Sequence, residues 1–344
     1  MRKFPKVPLK GTAWAVSALA VLAALLLCIC VGSVNIPLLD TLQTLGAALG
    51  MGEMPQGAVP AIILSVRLPR VLCVMLVGAA LALCGAVMQG LLRNPLADGS
   101  TLGVSSGASL GAALALAFGL TIPGIPMGGT MLMAMVFAFL SLVLILSLAY
   151  VLDKSLSTQS IILIGVVFSM FCTSLLSLVM TFSGEKVRNI TFWTMGSLAG
   201  STMNHVLTML LSLIVCGVPM LLCARELNAF AIGEENARNI GVNVRSIKLL
   251  LMAASSALIG VCVSVGGSIG FVGLIIPHIT RMVSGPNHQK LLPAAMVSGG
   301  VFLLLADLIG RTILRPLEIP IGVVTSLIGA VVFVVIFYRM RKGR

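Results

Sequence analysis

The sequence predicts an all-α membrane protein of about ten transmembrane helices, one of them short. Three observations lead there. Of 344 residues, 58% are apolar and only 9% charged, where a soluble domain carries about 25% charged residues. The charges stand in short clusters between uncharged stretches at 11–39, 71–92, 99–152, 155–184, 206–224, 249–277 and 319–338, and about 20 apolar residues suffice to cross a bilayer. The 36 glycines exceed the usual share of roughly 7%, and small residues let membrane helices approach one another closely.

The first stretch predicts a helix over 12–34, too long for the roughly 7 to 15-residue apolar core of a signal peptide. A second span follows over 61–92. The run 99–152 is too long for one crossing and is broken at Pro123-Gly124-Ile125-Pro126, a turn signal, which gives helices over 101–120 and 128–151. Spans over 158–182 and 204–224 come next. The stretch 249–277 is interrupted by Gly266, Gly267 and Gly270, so it predicts a helix over 247–266 and a short eighth helix over 269–282. Helices over 291–311 and 320–338 complete the set. The whole chain, 1–344, reads as one transmembrane domain, with no internal repeat and with its largest polar connection at about 225–247.

An even number of crossings puts both termini on one side. Placing them in the cytoplasm leaves only Arg67, Arg70, Lys186, Arg188, Arg311 and Arg315 of the 22 basic residues outside, as the positive-inside rule requires. Trp14, Tyr150 and Tyr338 then fall at cytoplasmic helix ends, the level that amphipathic rings favour. The net charge of +12 thus reflects topology, and no nucleic-acid partner is expected. All eight cysteines lie within apolar runs, without a CxxC pair or a neighbouring His set. They read as buried small hydrophobes, not as disulfides or zinc ligands.

Several chemistries lack their residues. There is no G-x-x-x-x-G-K-[ST] phosphate loop, no H-E-x-x-H and no G-x-S-x-G. No catalytic residue and no metal site are therefore expected, and any ATP would be bound by another chain. Asp307 is the one acid well inside a span, four residues before Arg311 on the same helix face, which gives a proton-coupled carrier little to work with. The absence of a His, Asp or Glu cluster in the spans disfavours a bare transition metal as cargo.

Two segments stand out. After the second span comes Arg93-Asn94-Pro95-Leu96-Ala97-Asp98, then glycines at 103, 107 and 111. That pattern suits either close helix packing or a flexible constriction of irregular backbone. In the largest polar connection, 227–242 reads as a short helix. Glu234 and Glu235 lie at its N-terminal end, Arg238 is spaced to pair with either, and Gly241 is placed to end it. Phe230, Ile232, Ala237 and Ile240 form an apolar side with no span of its own to cover, which favours docking on a partner.

RLPR at 67–70, LVGAALALCGAVMQGLLRNPLADGSTLGVSSGASLG at 76–111, IGEENARNIGV at 232–242, GSIGFVGLIIPHITR at 267–281 and EIPIGVVT at 318–325 together resemble the permease subunits of ABC importers for iron–siderophore complexes, haem and cobalamin. The resemblance runs from about residue 60 to the C-terminus. It implies the type II importer permease fold and a second copy, or a homologous permease, as partner. It also implies two cytoplasmic ATPase subunits holding ATP and magnesium, an extracytoplasmic substrate-binding protein, and residence in the bacterial plasma membrane with lipid around it. An iron–siderophore complex is the expected cargo, with haem or cobalamin as alternatives.

Carried over by position, Gly233, Glu234, Ala237 and Arg238 fall in the family's ATPase-coupling helix. Asn94, Leu96, Ser157 and Thr158 fall at its cytoplasmic gate, although Ser157 and Thr158 also suit a plain helix N-cap. His278 falls in the short eighth helix and reads as structural. Arg315-Pro316-Leu317-Glu318 departs from the family pattern by its arginine. Arg67, Arg70 and Arg311 break the positive-inside rule at outer helix ends. Snorkelling to lipid phosphates, or for Arg311 a pair with Asp307, would explain them. The resemblance instead implies docking of the binding protein, through charge-assisted bonds to its carboxylates.

Overall fold

With no water in a bilayer core, a spanning backbone must satisfy its own hydrogen bonds, and helices do this within one segment. The computed structural model describes residues 11–32, 34, 36–99, 103–124, 127–153 and 157–342, and of residues 11–14, 337 and 339–342 only the backbone. Arg2, Lys3, Lys6, Lys10, Lys154, Arg344 and the side chains of Trp14, Arg339, Arg341 and Lys342 lie outside the described parts. Taking continuous turns together, the described residues form fourteen helices. These are α1 (Gly11–Cys30), α2 (Leu38–Ala48), α3 (Val59–Leu91), α4 (Val104–Phe118), α5 (Gly128–Leu152), α6 (Thr158–Phe182), α7 (Val187–Thr194) and α8 (Met203–Leu222), followed by α9 (Ala224–Ala231), α10 (Glu234–Asn239), α11 (Val244–Gly266), α12 (Val272–Ser284), α13 (His288–Thr312) and α14 (Ile321–Lys342).

Helices α3, α5, α6, α8, α11 and α13 are each long and apolar enough to cross a membrane, and α1, α4, α12 and α14 are shorter apolar helices. These ten occupy the places of the ten expected spans, with ends shifted by a few residues. The expectation missed α2 and α7 and read the pair α9 and α10 as one helix. α2 turns Leu38, Leu39 and Leu42 outward and buries Thr41 and Thr44. Its apolar face suits a place at the membrane surface, and its 11 residues are too few to span.

Three prolines shape their helices. Proline lacks an N–H, and its ring clashes with the carbonyl four residues back. Pro69 in α3 and Pro219 in α8 each follow a wider π turn, at Ile62–Arg67 and Leu213–Gly217, which relieves that clash. In α12, Pro277 leaves the Gly273 carbonyl without its helical donor. The Gln89 side chain fills in from α3, with Nε2 donating to Leu274 O at 2.9 Å and to Gly273 O at 3.4 Å, while Arg281 Nη1 donates to Gln89 Oε1 at 3.1 Å.

The core is α3, wrapped by α13, α12 and α11, with glycines at the crossings. A β-carbon on Gly78 would fall 2.4 Å from Gly299 O, and one on Gly85 only 1.9 Å from Gly273 O, so backbone meets backbone there. Between α11 and α12 the chain turns back into the bundle. Gly267 (φ 70°) and Phe271 (φ 68°) take left-handed conformations, and Phe271 packs against Gly329 well inside α14. α12 therefore starts at mid-depth, the expected short helix after a glycine break. Such non-helical backbone is tolerated because protein covers it.

α6 is mostly exposed along its length, with Leu163, Val167, Met170, Phe171 and Phe182 each more than half exposed. Such a face is made for lipid or another membrane chain. Gly85→Val should lower stability by about 3 kcal/mol or more, because the obstruction is rigid backbone. Gly200→Ala, where a β-carbon meets nothing within 4 Å, should change it by less than about 0.5 kcal/mol. Thermal unfolding of the detergent-solubilised protein reads both.

Candidate functional site

The end of the bundle where α1 starts and α14 finishes is called the near end here, and its opposite the far end. At the near end α3 stops because Arg93 enters the left-handed region (φ 50°) and Pro95 cannot continue a helix. Asn94 Oδ1 then accepts from Leu96 N at 2.9 Å, and Ala97 N donates to Asn94 O at 3.1 Å, an Asx turn. The turn leaves Leu96 half exposed and buries Ala97. The glycines that follow are engaged in packing. A β-carbon on Gly107 would strike Ser141 Oγ, and one on Gly111 would lie 2.4 Å from Met133 O, both on α5. Any constriction therefore belongs to 93–98 and not to the glycine face.

Ser157 caps α6. Its Oγ accepts from Ser160 N at 3.3 Å, and Asp153 Oδ2 accepts from Ser157 N and Ser160 Oγ, each at 3.2 Å. Thr158 is the first residue of that helix. The N-cap expected for this position is thus real, and the two candidate gate turns are separate pieces, each held by local bonds.

The 225–247 connection folds as α9 and α10 joined by Gly233, at φ 116° and ψ 148°, a conformation that favours glycine. Its expected apolar side is divided. Phe230 and Ala237 are wholly buried in the chain itself, whereas Ile232 and Ile240 are 60% and 66% exposed. Only the latter two remain for a partner, because α9 and α10 lie on the bundle. Glu234 pairs with Lys248 of α11, Nζ to Oε1 at 2.8 Å, where the sequence suggested Arg238. Arg238 sits exposed in the last turn of α10. Arg93 Nη1 lies 3.9 Å from the position a β-carbon on Gly233 would take, so the connection lies beside the Asn94 turn. Asn228 Oδ1 anchors α9 to α13 by accepting from His288 N at 2.9 Å.

At the far end the three arginines expected to face a docking protein all have partners within the chain. Arg67 is 5% exposed, and its Nη1 donates to Ile29 O and Cys30 O, each at 2.8 Å; Nη2 donates to Val34 O. Arg311, 3% exposed, donates from Nη2 to Cys28 O at 2.6 Å and pairs with Asp307 at 3.2 Å. Two guanidinium groups thus cap the last carbonyls of α1, which have no partner within the helix. Arg67 and Arg311 are therefore removed from the set of free rim charges. Arg70 bridges Asp307 at 2.8 Å and Glu318 at 2.9 Å. Of the three it alone lines a hollow of about 390 Å³, together with Trp193, Phe192, Leu116 and Glu318. The sequence signalled Asp307 and Arg311 as a pair but not the α1 carbonyls, which lie more than 30 residues away.

The eight cysteines are free, and each is buried or half-buried. Among the described residues no group of three or more His, Cys, Asp or Glu could hold a metal ion. The model of the FecCD transport family matches residues 20–339. The chain belongs to that family of ABC importer permeases. It is 39% identical over 288 residues to the hemin transport system permease HmuU of Yersinia pestis, covering 82% of this chain and 84% of that one. It is 38% identical over 326 residues to the vitamin B12 import permease BtuC of Klebsiella pneumoniae, covering 94% and 92%. To the molybdate import permease MolB of Haemophilus influenzae it is 37% identical over 284 residues, covering 82% of each chain. A solved transporter described as metal-chelate type, in an inward-facing conformation, superposes with a TM-score of 0.83 at 33% identity, over 96% of this chain and 100% of that one.

Arg67→Ala should cost about 1–3 kcal/mol, the penalty for leaving buried backbone acceptors without donors. Arg188→Ala, on an exposed residue, should cost under about 0.5 kcal/mol. Chemical unfolding in detergent, followed by circular dichroism, measures both.

Proposed function

We propose that this permease carries an intact ferric chelate of the siderophore type into the bacterial cytoplasm, driven by ATP hydrolysis on two separate ATPase subunits that hold the nucleotide and magnesium. A second copy or a homologous permease completes the channel, and an extracytoplasmic binding protein delivers the cargo at the far end. Both termini and the near end face the cytoplasm in the plasma membrane, which agrees with the distribution of basic residues. Haem or cobalamin is the alternative cargo. The hemin and vitamin B12 relatives favour a chelate.

One observation carries the coupling part of this reading, the nearness of Arg93 to Gly233, its Nη1 standing 3.9 Å from where a β-carbon on that glycine would lie. It puts the connection that would meet the ATPase directly beside the turn that would form the gate. Gly233, Glu234 and Arg238 form the coupling element, with exposed Ile232 and Ile240 as its apolar contacts for a cleft on the ATPase. Ala237 holds α10 to the bundle. Asn94, Leu96, Ser157 and Thr158 form the gate, and the exposed side of α6 is available to the second permease. At the far end, Arg70 and Glu318 at the mouth of the hollow take over the docking role first expected of all three arginines.

Proteoliposomes holding the permease, its ATPase and its binding protein test the cargo. Uptake of a ferric trihydroxamate is expected, with hemin and cobalamin as parallel arms and free ferrous, manganese and zinc ions excluded. Equal uptake of the free ions would overturn the chelate reading. Leu96→Cys with Thr158→Cys, in a background whose native cysteines are replaced, should cross-link between permease copies in one nucleotide state only. State-independent cross-linking would mean a static wall.

A further inference from the structure

Lysine carries a compact, strongly hydrated ammonium and is almost never fully buried unless paired. Lys248 has a side chain only 2% exposed, and its ammonium meets Glu234 Oε1 at 2.8 Å. Glu234 is the first residue of α10 and Lys248 lies in the second turn of α11. The pair therefore joins the loop helix α10 to one of the most buried spans of the bundle. Attachment alone does not call for a charge here, because Phe230 and Ala237, both wholly buried, already hold α9 and α10 in place through apolar contact. What the ion pair adds is a directional link at the Gly233 end of α10.

Further contacts extend from that link to both gate turns. The guanidinium of Arg245, three residues before Lys248, stacks 5.3 Å from the centre of the Tyr150 ring near the end of α5. The chain leaves α5 through Asp153, which caps the Ser157 turn. At the same end of α10, Arg93 beside Gly233 opens the Asn94 turn.

We infer that the Glu234–Lys248 ion pair is the joint that makes α10 and α11 move as one body, with Lys248 the positioning residue that passes displacement of α10 to the gate. The inference rests on the reading of α10 as the ATPase contact. Charge geometry is what the joint requires. A neutral side chain of similar volume keeps the packing and loses the link, whereas arginine keeps the link.

The test uses the full permease with its ATPase and binding protein in proteoliposomes, and reads cargo moved per ATP hydrolysed for whichever of ferric trihydroxamate, hemin or cobalamin the binding protein retains. Lys248→Met should still co-purify with the ATPase and hydrolyse ATP, yet move about 3- to 30-fold less cargo per ATP, the range that substitutions along coupling networks produce. Lys248→Arg should stay within about twofold of wild type, and the exchanged pair Glu234→Lys with Lys248→Glu should recover part of the loss seen in Lys248→Met. An unchanged ratio in Lys248→Met overturns the joint. So does a Lys248→Arg variant as impaired as Lys248→Met, or loss of ATPase capture in both, since either result makes Lys248 a packing residue only. Ile240→Arg separates the two readings. If it leaves ATPase capture and transport normal, α10 is not the ATPase contact; if it abolishes capture while Lys248→Met is silent, only the joint fails.

Discussion

A carbonyl at the end of a membrane helix has no helical donor and, below the headgroups, little water. That constraint organises the far end of this permease. The last carbonyls of α1 are capped by Arg67 from α3 and Arg311 from α13. Asp307 neutralises Arg311 and also receives Arg70, so three spans and the start of the following loop are fixed around one polar knot. The same constraint explains the interior turn. The segment between α11 and α12 can leave helical geometry at depth because the protein supplies its partners, among them Ser197 N on Gly266 O at 2.8 Å.

Around α3 the packing is of a different kind. Lipid tails are as apolar as leucine, so membrane helices gain from close fit more than from water exclusion. Gly78 against Gly299 and Gly85 against Gly273 bring backbones together where any side chain would collide. These contacts leave α3, α12 and α13 little freedom to slide past one another. The near-end loops are tied instead by local polar bonds, Asn94 to its own turn, Asp153 to Ser157 and Ser160, Asn228 to His288 and Glu234 to Lys248.

Much of this was legible from residue order. Uncharged runs located the ten apolar helices, the Pro123 to Pro126 break separated α4 from α5, and the glycines at 266, 267 and 270 announced the interrupted pair α11 and α12. The five motifs were sufficient for the family. α2 and α7 escaped because an 11-residue helix carrying Asp40 and an eight-residue helix carrying Arg188 give neither a crossing-length run nor a long period. The arginines misled for a physical reason. A cation at an outer helix end looks exposed when its acceptors are backbone carbonyls more than 30 residues distant, and main-chain acceptors leave no trace in composition. Lys248 was equally hidden, since it counts as a flanking charge in any topology rule. The apolar side of the 225–247 connection was real, but sequence could not divide it between Phe230, which the chain covers itself, and Ile240, which it does not.

The capping of α1 bears on how the protein sits in membranes of different thickness. α1 is fastened at its far end by hydrogen bonds, whereas lower down an aliphatic groove, lined by Ser17, Ala18, Val21, Leu22, Leu25 and Val297, opens between it and α13. Mismatch between a helix and its bilayer is taken up by tilt or by local deformation of the lipid. In α1 the arginine caps tie the far end, and the groove lower down is open to acyl chains. A bilayer of different thickness thus meets a first helix that is polar-bonded at one level and lipid-accessible at another.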